Sequence, residues 1–138
     1  MILQHKGSSV WSIPATATVF EAIRILSEKN IGALPVLDGE QLVGIFSERD
    51  YTRKVALLGH SSRELQVRHI VSSPVISISP DDSIEEAMRL MSEKHIRHLP
   101  VVVQGKLSGM ISIGDIVTWV ISAQNSEIAQ MEAYIAGR

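Results

Sequence analysis

One stretch of this chain is written twice. Ser27 to Asp50 reads SEKNIGALPVLDGEQLVGIFSERD, and Ser92 to Asp115 reads SEKHIRHLPVVVQGKLSGMISIGD. Pro35 and Pro100, Gly44 and Gly109, Ser47 and Ser112, Asp50 and Asp115 are each 65 positions apart, with no gap. The same offset carries the match back through Glu21/Glu86, Ala22/Ala87 and Arg24/Arg89 to Ser12/Ser77 and Ile13/Ile78. Such a period exceeds that of solenoid repeats, and two copies are too few for an open array, so the halves are expected to close as a pseudo-symmetric pair. The functional question is what the seam between them holds.

With 138 residues, 45% of them apolar, the chain can form one compact domain or two small halves sharing a core. It has no cysteine, which excludes disulfides, thiolate metal sites and a cysteine nucleophile. The longest apolar runs, such as Ile116 to Ala123 interrupted by Thr118, fall short of a bilayer span. The opening Met1-Ile-Leu-Gln-His-Lys has no signal-peptide stretch, so the expected compartment is the cytoplasm, with no membrane partner. A net charge of −2 and only four aromatic rings besides the two tryptophans argue against nucleic acid, while leaving room for a small anion held by a few local cations.

Met1 to Gly7 reads as an arm and Ser8 to Ile13 as a first extended segment, ended by Pro14. Thr18-Val-Phe-Glu21 is a capping box opening a helix that runs to about Lys29, with Val19, Ala22, Ile23 and Leu26 at helical spacing. Leu34-Pro-Val-Leu, the turn signal Asp38-Gly39 and Gln41 to Phe46 form a hairpin. Ser47 caps a second helix carrying Val55, Leu57 and Leu58 and ending near Gly59. The second copy repeats the plan: Val75 to Ser77 extended, Ser83 to Glu86 a capping box, and Ile84, Ala87, Met88 and Met91 a buried stripe. The hairpin spans Leu99 to Val103 and Leu107 to Ser112, and Ile116, Val117, Val120 and Ile121 mark the next helix. Ser126 to Ile135 extends as a C-terminal helix without a counterpart in the first copy, suited to cover a sheet edge or a neighbouring subunit. The expected organisation is a first repeat at 1–65, a second at 66–123 and a C-terminal helix at 124–138. Each half reads β-α-β-β-α, and its small sheet cannot bury both faces alone. The fold class is therefore α+β, with two pseudo-twofold-related repeats packed sheet to sheet and two clefts at the seam.

Chemistry concentrates where each hairpin runs into its second helix. Gly44-Ile-Phe-Ser47-Glu-Arg-Asp50 and Gly109-Met-Ile-Ser112-Ile-Gly-Asp115 combine a glycine that admits a ligand or another backbone, a serine that can cap a helix, and a carboxylate. A hydroxyl beside a carboxylate suits a neutral diol such as ribose. The plainer reading of Ser-x-x-Asp is a capping box alone, and recurrence at an identical offset favours the functional one.

The duplicated pattern, a helix, then Ile-x-x-Leu-Pro-Val, then Leu-x-Gly-x-x-Ser-x-x-Asp, resembles a pair of CBS domains, the cystathionine-beta-synthase type modules that occur in tandem as a Bateman module. The resemblance covers nearly the whole chain and looks like a stand-alone pair. It implies interdomain clefts for adenosine derivatives such as AMP, ADP, ATP, NAD or S-adenosylmethionine, and association into flat homodimers. Carried onto this chain, Ser47 and Asp50, and Ser112 and Asp115, would meet ribose. Ser12, Ile13, Leu34 and Pro35, with Val75, Ile78, Leu99 and Pro100, would hold adenine through backbone and apolar side chains. Arg97 and His98 would meet phosphate.

The copies differ at that last feature, since the first has Gly32 and Ala33 where the second has Arg97 and His98, and Arg49 where the second has Gly114. The two clefts should not be equivalent, because an arginine fork grips phosphate and Gly-Ala offers only amides. Arg53 reads as a solvated surface cation, and Lys54 and Lys6 as weaker phosphate candidates. His95 and His98 invite a metal reading, which no His-Glu-x-x-His pattern or cysteine supports. No nucleophile elbow, phosphate-cradling glycine loop or paired acidic motif appears, so no enzyme and no catalytic cofactor are expected. The leading expectation is a nucleotide-sensing regulatory module, acting on an effector through conformation or assembly. The alternatives are a protein-protein assembly module with vestigial clefts and a minor hydrolase or metal-binding activity.

Overall fold

A computed structural model of the chain describes residues 10–71 and 75–135. The expected N-terminal arm, Lys6 and the first residues of the opening extended segment lie outside them.

Both long helices of the hairpin units start at the expected N-caps, Thr18 and Ser83. Thr18, in extended backbone, accepts from the Glu21 amide at 3.1 Å and opens α1 (Val19–Lys29). Ser83 accepts from the Glu86 amide at the same distance and opens the helix Ile84–Lys94. Both end on a left-handed residue, Asn30 (φ 53°) and His95 (φ 55°), which stand at the same place in the two copies. Val19, Ala22 and Leu26 are buried from the first helix, and Ile84, Ala87 and Met91 from the second. Met88, expected in that stripe, is instead 45% exposed. Its position lies about 70° round the helix from the centre of the stripe formed by the other three, which turns it off the core.

The strands pair with the same fidelity. β1 (Ile13–Pro14) runs parallel to β2 (Ala33–Asp38), with Ile13 opposite Val36, and β2 is antiparallel to β3 (Gln41–Ser47). In the second half, Ile78 bridges in parallel to Val101 of β4 (His98–Val103), which is antiparallel to β5 (Lys106–Ser112). Each hairpin has a register shift at the same point, between Val36 and Leu37 and between Val101 and Val102. The strand order is β1-β2-β3-β5-β4, and β3 meets β5 at a single pair, Gln41 with Lys106. The fold is thus α+β, with the halves joined through their sheets. Each half keeps its own core, one around Val19, Leu34, Val36, Phe46 and Val67, the other around Leu99, Val101, Ile111 and Ile116.

The halves diverge in their second helices. After β3, α2 (Glu48–Asp50) passes directly into a π-helical segment, Tyr51–Ala56. The wide turns are continued by Leu57 N to Thr52 O at 3.1 Å and His60 N to Val55 O at 3.0 Å. Val55 is buried, but Leu57 and Leu58, expected on this helix, follow its end and are 75% and 66% exposed. With the helix Ile84–Lys94 as α3, the counterpart in the second half is α4 (Ile113–Ile135), one continuous helix that absorbs the segment expected as a separate C-terminal helix. Ile116 is its buried anchor, whereas Val117, Ile121, Ile128, Met131 and Ile135 are half exposed or more. Among the described residues no helix is long and apolar enough to cross a membrane.

Candidate functional site

The end of β3 delivers Ser47 in extended backbone, and the chain then turns into α2. The Ser47 amide and hydroxyl donate to Asp50 Oδ2 at 2.9 and 3.0 Å, and the Asp50 amide donates to Ser47 Oγ at 3.2 Å. In the second copy the Ser112 amide donates to Asp115 Oδ2 at 2.8 Å and the Asp115 amide to Ser112 Oγ at 3.1 Å. Both Ser-x-x-Asp motifs are therefore capping boxes, which satisfy orphan amides at a helix start. Capping does not close them to a ligand, because it uses chiefly one carboxylate oxygen. The other oxygen of Asp50, Oδ1, lies 3.5 Å from Lys54 Nζ. That ammonium also donates to the Ile70 carbonyl at 2.9 Å, so Lys54 is engaged with the connection that follows the first repeat. It does not line the cleft where a phosphate would be met.

Beside Ser47 and Asp50 opens a cleft of about 450 Å³. Gly32, Ile45, Ser47, Glu48, Arg49 and Asp50 of the first repeat form one side, and Val75, Ile76 and His95, Ile96, Arg97 and His98 of the second form the other. The site is a seam site: neither repeat builds it alone. Its walls supply three kinds of surface. Ile45, Val75, Ile76 and Ile96 are apolar and half-buried; Ser47 and Asp50 give a hydroxyl and a carboxylate; Arg49 and Arg97 bring one guanidinium from each repeat. Among the described residues neither arginine side chain has a hydrogen bond or ion pair. Both are exposed, so their donors are available to an incoming anion.

Two glycines explain part of the difference between the copies. A Cβ on Gly32 would lie 3.2 Å from His98 Cε1 and 3.4 Å from Nε2, so His98 packs across the seam onto the position where the first copy has lost its side chain. A Cβ on Gly44 would lie 2.5 Å from the Val71 Cβ. The close approach expected there of a ligand or backbone is made by a side chain of the connection between repeats.

Of the residues expected at the site, Ser47, Arg49, Asp50, Val75, Arg97 and His98 come together in this cleft. Leu34 and Leu99 have no exposed surface, and Ile13, Pro35, Ile78 and Pro100 are buried with them in the two cores. Their side chains are committed to packing. Ser12, Ser112 and Asp115 do not line this cleft. Ile45, Glu48, Ile76 and Ile96 line it without having been singled out; each neighbours a motif residue, and nothing local in the sequence shows which way it faces. Among the described residues no group of three or more His, Cys, Asp or Glu is arranged to hold a metal ion.

Comparison with known proteins agrees with this architecture. The CBS domain model matches twice, over residues 7–57 and 67–122. The CBS domain-containing protein CBSX3, mitochondrial, of Arabidopsis thaliana is 38% identical over 95% of this chain, which spans 66% of that protein's length. The structure of a CBS-domain protein from Burkholderia ambifaria, assigned to signal transduction, superposes with a TM-score of 0.84 at 44% identity, covering 89% of this chain and 93% of its own. A CBS domain pair crystallised with 5′-methylthioadenosine and S-adenosyl-L-methionine shares the fold, with a TM-score of 0.75 at 24% identity over 85% of this chain and 92% of its own. The chain belongs to the CBS-domain family, as a tandem pair of CBS domains.

Proposed function

We propose that this module senses an adenosine-containing nucleotide of the AMP, ADP, ATP or NAD class in the cleft between its repeats, and passes occupancy on through its conformation or assembly. The carrying observation is the composition of the cleft, in which a hydroxyl-carboxylate pair, an apolar wall and two arginines from opposite repeats face one volume. The volume lies within the range of about 300–1,000 Å³ typical of small-molecule sites. The apolar wall suits a flat base, Ser47 and Asp50 suit the ribose hydroxyls, and Arg49 and Arg97 suit phosphate through charge-assisted hydrogen bonds. Binding is the whole task of the site, with no catalytic step. Signalling then requires only that the ligand prefer one of two conformations of the pair.

Isothermal titration with AMP, ADP, ATP and NAD tests this reading, with S-adenosylmethionine included because a pair of the same fold holds it. Binding by at least one phosphate-bearing ligand is expected, and no binding up to millimolar concentration would remove the proposal. R97A should weaken ATP by about tenfold or more, as expected for a lost hydrogen bond to a charged group.

A second reading, assembly without a ligand, draws on the half-exposed apolar side chains of α4, from Val117 to Ile135. It predicts a homodimer by light scattering and a melting midpoint insensitive to nucleotide. A midpoint that rises with nucleotide concentration favours the sensor.

A further inference from the structure

Lys54 lies outside the cleft lining but joins one lining residue, Asp50, to the connection between the repeats. Its ammonium reaches Asp50 Oδ1 at 3.5 Å and donates to the Ile70 carbonyl at 2.9 Å, while Asp50 Oδ2 is held by Ser47. The next residue, Val71, fills the space that Gly44 leaves on β3. Two separate contacts therefore pin the start of the connection to the elements that carry Ser47 and Asp50. Four and five residues on from Val71, Val75 and Ile76 of the second repeat form part of the opposite wall of the cleft.

The arrangement belongs to the first repeat only. Asp50 and Lys54 are four residues apart and so lie side by side on the helix, with Lys54 in the π-helical segment. The equivalent of Lys54 is Trp119, in the regular helix α4, and an indole supplies no ammonium. We propose that Lys54 is a positioning residue that ties Asp50 to the inter-repeat connection, so that a ligand engaging Asp50 alters the hold on Ile70. For the ligand this rests on the proposed function; the tie rests on the contacts alone. The physical step is a competition. Ribose hydroxyls and the ammonium seek the same carboxylate oxygen, and when the hydroxyls donate to Oδ1 the ammonium loses that contact while keeping its hydrogen bond to the Ile70 carbonyl.

Amide hydrogen exchange on the full chain, with and without ATP, tests the tie in wild type, K54M and K54R. Without ligand, K54M should exchange faster than wild type at Asp50, Ile70 and Val71, and K54R, which keeps the charge and the reach, should restore protection. With saturating ATP, protection at Ile70 should change by about fivefold or more in wild type, the lower end of typical coupling between sites, and by less than about twofold in K54M. Wild-type exchange in ligand-free K54M at all three amides would overturn the tie. An ATP response at Ile70 undiminished in K54M would overturn the coupling. If wild-type protein binds none of the nucleotides, the proposed function fails instead, and the ligand-free comparison of K54M with K54R still decides the tie.

Discussion

The two repeats share a skeleton and differ at its rim. Helix caps, hairpin register, bulge position and the Ser-x-x-Asp box recur at one offset, down to hydrogen bonds that agree within about 0.1 Å, such as Ser47 N to Asp50 at 2.9 Å and Ser112 N to Asp115 at 2.8 Å. The differences gather where the repeats face each other or the solvent. Gly32 is bare and accommodates His98; Arg49 has no counterpart cation at Gly114; a π-helical segment with Lys54 stands opposite a long regular helix with Trp119. A duplicated unit keeps the contacts that fold each half, because losing one costs both stability and register. It is free to diverge at the seam, where the two halves meet in one asymmetric site.

Substitutions can break or sharpen this comparison. The largest effects belong to the shared skeleton. Phe46 and Ile111 occupy equivalent, fully buried places in the two cores. F46A should cost about 3–5 kcal/mol and I111A about 2–5 kcal/mol in denaturant unfolding. A loss confined to one of the two would show that the cores are not equivalent supports. G44A comes next: the added methyl meets Val71 at 2.5 Å, and the overpacking should cost about 1–3 kcal/mol. V71A, combined with it, should recover part of that loss; no recovery would locate the strain elsewhere.

The boxes separate structure from binding. S47A and S112A should each lower stability by about 1 kcal/mol, the typical worth of an N-cap. For D50A and D115A, the sensor reading expects D50A to weaken nucleotide binding at the described cleft more than D115A does. Equal affinity of D50A and wild type would refute the ribose assignment of Asp50. The smallest expected effect is H95N, which writes the first repeat's left-handed cap into the second. It should change stability by no more than about 0.5 kcal/mol, and in the stabilising direction, because asparagine tolerates that conformation better. A clear destabilisation would mean that His95 makes contacts beyond its cap.

How much of this was legible beforehand depends on the range of the interaction. The duplication is read from the 65-residue offset, and the N-caps at Thr18 and Ser83, both hairpin turns and the stripe Ile84, Ala87 and Met91 follow from neighbours within about four residues; all are present. The closing of a cleft around Ser47 and Asp50 with Arg97 and His98 opposite was anticipated in outline, through the family pattern. The outward turn of Met88, the exposed Leu57 and Leu58, the π-helical segment and the unbroken run of α4 were not.

Those features are set by packing between elements. Hydrophobic periodicity marks which residues can be buried, and an apolar residue at the edge of a stripe is buried only if another element covers it. Nothing in residues 44–71 announces that Val71 will press on Gly44, or that Lys54 will reach Ile70 as well as its helix neighbour Asp50, because these contacts join chain segments 27 and 16 residues apart. Local composition dictated two copies of one hydrogen-bonded unit. Which copy's serine and aspartate would face an open volume, and which cations would lie beside them, was settled when the halves met, since only their contact removes some side chains from water and leaves others exposed.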